Sequence, residues 1–210
     1  MPHRSSDRSS DGHGGCIDRS VMRFPIIYAD PAWTYDDKAL AGNRGAGCKY
    51  SLMTEHDMQR LPVPSIAAED SVCLMWATYP KLAEGLELMA AWGFTYKTVA
   101  FTWVKTNGPD ARTPYFIGMG RWTRSNAEIV LLGVRGKPQR VDAGVNQIIA
   151  APRGRHSAKP AETRDRIVRL CGDVPRVELF AREQCPGWTA LGFDIDGQDL
   201  RQSIPALARR

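Results

Sequence analysis

Short apolar runs that close on polar residues alternate along this chain with stretches of helical period. Phe24-Pro25-Ile26-Ile27-Tyr28-Ala29 reads as a buried strand over about 25–29, and Ser71 to Ala77 as a second. Further strands are expected near 97–104, at 128–134, at 147–150, at 176–181 and, as an edge, at 188–193. Thr54, with Asp57 three residues later, caps a short helix that ends before Pro62. An amphipathic helix runs from about Pro80 to a stop at Gly93, and residues 162–170 form another, entered through Lys159-Pro160. Trp76 and Trp92 fall inside these periods and read as core.

Strands alternating with helices predict an α/β protein: a doubly wound, mostly parallel sheet with helices on both faces and an antiparallel strand at its edge. A chain of 210 residues fits one such unit and can bury a substantial core without staples. Residues 1–20, polar and without apolar period, read as a disordered tail, 21–197 as the domain and 198–210 as a C-terminal tail. The Gly-rich stretch 39–47 reads either as a connector that closes over a ligand or as an ordinary loop.

The first strand delivers Asp30-Pro31-Ala32-Trp33 at its end. Ligands of open α/β sheets collect at the carboxyl ends of strands, and an acid, a rigid turn and an indole there suit a flat, amine-bearing ring such as adenine. The exocyclic amine of adenine is a poor nucleophile because its lone pair is delocalised into the ring. Two acceptors, one per N–H, localise that pair: the Asp30 carboxylate and the Pro31 carbonyl, with Trp33 stacking on the base. A sulfonium donor would place positive charge beside Asp30. The alternative is an ordinary turn after a strand, since Asp-Pro is common turn chemistry.

Other strand exits are polar too. Lys105 and Asn107 follow the third strand and are candidate substrate contacts. Lys159 stands at a strand-to-helix junction and Arg182 ends the sixth strand.

Charge sharpens the picture by segment. The chain as a whole carries +5, but residues 101–170 hold 13 Lys or Arg against 5 Asp or Glu. Arg112, Arg121, Arg124, Arg153 and Arg155 punctuate loops that also hold Tyr115 and Trp122, a mixture that suits a phosphate backbone and a displaced base. The alternative is a solvated, soluble surface. Five cysteines without a Cys-x-x-Cys pair, and histidines without ligand spacing, argue against disulfides or a metal site. Without a long apolar run or a leader, no membrane association is expected and a cytoplasmic location is. No Gly-x-Gly-x-x-Gly follows the first strand, which weakens a dinucleotide oxidoreductase.

Five blocks in order, Tyr28-Ala29-Asp30-Pro31-Ala32-Trp33, Tyr50-Ser51-Leu52-Met53-Thr54, Trp103-Val104-Lys105-Thr106-Asn107, His156-Ser157-Ala158-Lys159-Pro160 and Val177-Glu178-Leu179-Phe180-Ala181-Arg182, resemble one family over residues 24–197. It is the MT-A type adenine-N6 methyltransferases, named after the seventy-kilodalton subunit of the mRNA methyltransferase. The resemblance implies a Rossmann-like methyltransferase fold with permuted motif order and S-adenosyl-L-methionine as cofactor. It implies catalytic roles for Asp30, Pro31 and Trp33, with Ala32 in place of a second proline. It also implies that Tyr50 lies near the target base, and that Lys159 and Arg182 contact the cofactor beside Asp30.

Where the family carries an amide pair for the cofactor ribose, this chain has Phe193-Asp194; Asp194 can accept from ribose hydroxyls, and Phe193 cannot replace an amide. The expected substrate contacts are Tyr50, Lys105, Asn107, Arg121 and Trp122. The expected activity is methylation of adenine N6 in DNA, with the base flipped out of a duplex. RNA as acceptor, a non-catalytic nucleic-acid-binding homologue and a protein-amide acceptor are the alternatives. A homodimer is left open.

Overall fold

The computed structural model describes residues 22–34, 53–108, 111–120, 122–154 and 158–209. Tyr50, Arg121, Arg155, His156, Ser157, the 39–47 stretch and the N-terminal 1–20 lie outside them. Seven strands form one sheet: β1 (Phe24–Ala29), β2 (Ala67–Ala77), β3 (Thr95–Thr106), β4 (Ala127–Arg135), β5 (Ile148–Pro152), β6 (Arg176–Leu179) and β7 (Thr189–Leu191). Their spatial order is β5-β3-β4-β2-β1-β6-β7. The helices are α1 (Glu55–Gln59), α2 (Leu82–Ala91), α3 (Glu162–Cys171), α4 (Phe193–Asp196) and α5 (Leu200–Leu207).

The sheet is mostly parallel, as the pattern predicts, but its antiparallel strand is not at an edge. β4 runs against both β2 and β3 and lies in the interior, while both outermost strands pair in parallel. Apolar periodicity reports which residues lie in a strand and is silent on direction. One consequence is functional: the start of β4 reaches the same sheet edge as the ends of β1, β2 and β3, with Glu128 opposite Trp103 and Ile129 opposite Ala77.

Two apolar layers sandwich the sheet. On one face, Ile27 and Ala29 of β1 pack with Met58 of α1, Leu88 and Met89 of α2, and Trp92. On the other, Ile26 and Tyr28 pack with Ile167 of α3 and with Trp188. Burial on both sides explains why β1 reads as a continuous apolar run and not as an alternation. Local chemistry sets the helix ends. The Thr54 hydroxyl accepts from the Asp57 N–H at 3.1 Å at the start of α1. After α2, Gly93 takes φ +81°, a left-handed conformation that glycine adopts without a Cβ penalty. Trp92 is core, its indole N–H donating to the Met58 carbonyl at 2.9 Å.

Two C-terminal expectations change. The edge strand closes at Leu191, and Phe193 begins α4. Residues 198–210, read as a tail, carry α5, capped by Asp199 and buried through Leu200, Ile204 and Leu207. Pro205 inside the helix obscures its signal. Ile204→Ala should lower stability to urea by about 2–5 kcal/mol, as removal of a buried side chain does. A loss below about 0.5 kcal/mol, the range of a surface change, would return the segment to tail status.

Candidate active site

The carboxyl edge of the sheet converges on a cavity of about 350 Å³, lined by Asp30, Pro31, Ala32 and Trp33 after β1, Trp76, Ala77 and Thr78 after β2, and Glu128 at the start of β4. Lys159, Arg182, Phe193, Asp194, Gln198 and Asp199 complete much of the rest. The Asp30 N–H donates to the Leu179 carbonyl at 3.4 Å, a weak continuation of the β1–β6 pairing that holds the residue at the cavity. In the turn that follows, the Trp33 N–H donates to the Pro31 carbonyl at 2.9 Å, leaving that oxygen one lone pair. The Trp33 indole N–H donates to the Trp76 carbonyl at 3.1 Å and so is stapled to the end of β2. Gly85 of α2 lies close by: a Cβ there would make ordinary contact with the indole at 3.9 Å and a tight one with Leu131 at 3.1 Å.

Four charges of alternating sign cross the site. Lys105 Nζ lies 2.6 Å from Glu128 Oε1, Glu128 Oε2 lies 3.0 Å from Lys159 Nζ, and Lys159 Nζ lies 3.0 Å from Asp30 Oδ1. Lys159 also stands over the Trp76 ring at 5.3 Å. Burial pushes the Asp30 carboxyl above its ordinary pKa, and Lys159 pulls it back only in part. Burial would raise the Glu128 carboxyl too, but the ammonium groups of Lys159 and Lys105 outweigh it and hold the group below the carboxylate range. The Lys159 ammonium, penalised by burial, is held protonated by both carboxylates and its pKa is raised.

Of the residues singled out from sequence, Asp30, Pro31, Trp33, Lys159, Arg182 and Asp194 meet around one cavity. Lys159 is committed to two carboxylates. Lys105 is held by Glu128, one step away from Asp30. Asn107 uses its side-chain amide on the carbonyls of Thr113 (2.9 Å) and Tyr115 (2.8 Å), which makes it an organiser of its own loop. Trp122 is on the same connection, exposed to solvent. Tyr50 and Arg121 lie outside the described residues.

Glu128 is the site residue that sequence reasoning passed over. A local pattern marks polar groups at strand exits, whereas Glu128 opens a strand that runs the other way. Trp76, core by its pattern, is both core and wall: its N–H donates to the Tyr28 hydroxyl at 2.6 Å, and its ring lines the cavity. Phe180, after β6, has φ +60°, costly for a residue with a Cβ, and it too lines the cavity. Gly192 has its own reason to be glycine: a Cβ there would overlap the Ala181 carbonyl, and this close approach brings Phe193 and Asp194 beside Arg182.

Among the described residues no group of His, Cys, Asp and Glu could hold a metal ion, and no helix is long and apolar enough to cross a membrane.

The chain is similar to known methyltransferases. The chain is 36% identical over 201 residues to the type II methyltransferase M.MunI of Mycoplasma sp, covering 87% of this chain and 82% of that one. It is 30% identical over 191 residues to the human N(6)-adenosine-methyltransferase catalytic subunit METTL3, covering 88% of this chain but 30% of METTL3. An MT-A70-like N(6)-adenosine-methyltransferase of Arabidopsis thaliana is 30% identical over 184 residues, covering 84% of this chain and 24% of the plant protein. The chain therefore spans most of the Mycoplasma relative and less than a third of the other two. The family model MT-A70 matches residues 24–194, from the first strand to Asp194 at the cavity, and the chain belongs to the MT-A70 family.

Proposed function

We propose that this protein transfers a methyl group from S-adenosyl-L-methionine to N6 of adenine in DNA. The observation that carries the reading is the placement of the Asp30 carboxylate and the Pro31 turn, beside a stapled indole, at the mouth of a cavity large enough for a ligand. In this reading Asp30 accepts one amine hydrogen and the remaining Pro31 lone pair the other, so the nitrogen's own pair is freed for attack. Trp33, hydrogen-bonded to the end of β2, sets the plane of the base.

The cofactor suits the residues present. Arg182 can take a carboxylate, Asp194 can accept from ribose hydroxyls, and the apolar ring of Phe193 can cover the adenosine part. Bound there, S-adenosyl-L-methionine would supply an electrophilic methyl group. Two of the three Lys159 donors meet carboxylates, leaving one for a ligand. DNA is preferred as acceptor on the strength of the type II methyltransferase, matched over 82% of its length against 30% for METTL3.

Asp30→Ala should reduce methyl transfer by at least about 10²-fold, the usual consequence of losing an electrostatic contact to the reacting group. The assay is labelled donor with adenine-containing DNA and RNA in parallel, read as N6-methyladenine. Wild-type protein that binds the donor but labels neither polymer would remove the proposal. Label in RNA alone would move the acceptor.

The ion-pair chain predicts the sign of a pH effect. Asp30 must be ionised to accept the amine hydrogen, so its raised pKa sets the acid limb of the rate profile above the ordinary carboxylate range. Lys159→Met removes the charge that lowers this pKa and should move the limb to higher pH. Glu128→Gln removes a charge that raises it and should move the limb to lower pH. The position of the limb is the readout, and shifts in the same direction for both variants would exclude Asp30 as the titrating group.

A further inference from the structure

The β3–β4 connection rises from the same edge as Asp30, because β3 ends and β4 begins there. Its foot is built. The Asn107 N–H donates to the Pro114 carbonyl at 3.0 Å, and the Phe116 N–H donates to the Lys105 carbonyl at 2.9 Å. Higher up, the two legs close on each other: the Gly118 N–H donates to the Ser125 carbonyl at 3.1 Å. A Cβ on Gly118 or Gly120 would overlap the carbonyls of Ser125 and Thr123, so only glycine allows the legs this close. The residue between those glycines is Met119.

Exposure alternates from 115 to 119. Phe116 is turned inward, with the Arg153 guanidinium 3.6 Å from its ring, while Tyr115, Ile117 and Met119 are exposed. Met119 is 96% exposed and Trp122 95%, above every other large apolar side chain among the described residues. Between 111 and 127 the sequence has three arginines and no acidic residue. An apolar tip in a purely cationic setting, held on a hydrogen-bonded stem, marks an interaction site.

We propose that this tip enters the DNA duplex beside the target adenine, Met119 and Trp122 taking the place of the base that leaves the stack while Arg112, Arg124 and Arg153 meet phosphates. The inference rests on the adenine-methyltransferase reading and adds to it the element that makes a paired adenine available. A base drawn from a duplex leaves a gap whose flanking pairs lose their stacking, and an apolar side chain in that gap restores contact on both sides. A second copy of the chain is a poorer occupant, since a two-fold contact through this loop would set its arginines against their own images.

The test compares wild type with Met119→Ala/Trp122→Ala on plasmid DNA propagated without adenine methylation, native and heat-denatured. The expected result is a fall of roughly tenfold or more in the ratio of N6-methyladenine formed on native over denatured DNA. Equal losses on both substrates, or none on either, would overturn the proposal. So would a wild type active on denatured DNA alone. If the double variant loses self-association in light scattering together with activity, the loop is an interface between copies and the proposal fails. No product from the wild type on either DNA sinks the reading of DNA as acceptor, and the wedge with it.

Discussion

A carboxylate taken out of water must be met by opposite charge, and Lys159 meets two. It is shared between Asp30, at the end of the first strand, and Glu128, at the start of the reversed strand, while Lys105 balances Glu128 from the far side. The four residues come from four separate segments, so the pairing ties the entrance of α3 to the centre of the sheet. Removing one member of such a half-buried chain leaves a charge uncompensated, a loss of about 3–5 kcal/mol in comparable buried pairs. The arrangement holds the Asp30 carboxylate at the wall of the cavity through its pairing with Lys159.

Around this chain of charge the walls are held by close approaches. The indole of Trp33 is fastened to β2 through the Trp76 carbonyl, and Gly192 lets the β7 exit press against Ala181. Phe180 accepts an unfavourable backbone conformation where β6 leaves the sheet. Such strain persists only where the surroundings over-determine it, and here they do, since Leu179 is buried just before and Ala181 just after. Helix α5 contributes twice, through Ile204 and Leu207 to the core and through Leu200, beside Asp199, to the cavity. The segment that closes the fold also closes the site.

Much of this was legible from residue order. The apolar runs located all seven strands, the Thr54 cap and the Gly93 stop located two helix ends, and the polar groups after β1 and β6 pointed to Asp30 and Arg182. The features that residue order leaves undetermined share one cause. Glu128 looked like the first residue of a strand, and Asn107 like a free amide at a strand end, because neither strand direction nor side-chain partners are written in a local pattern.

The sequence by itself determined which stretches become strands and helices, which motif blocks the chain carries and where its positive charge concentrates, because these follow from period and residue type. Only the tertiary structure decided that β4 is reversed inside the sheet, that Glu128 therefore joins Lys159 and Asp30, and that the last helix belongs to the core. Those outcomes depend on contacts between segments distant along the chain, such as Asp30 with Lys159 and β2 with β4, and a periodic pattern specifies what a segment buries without naming what it is buried against.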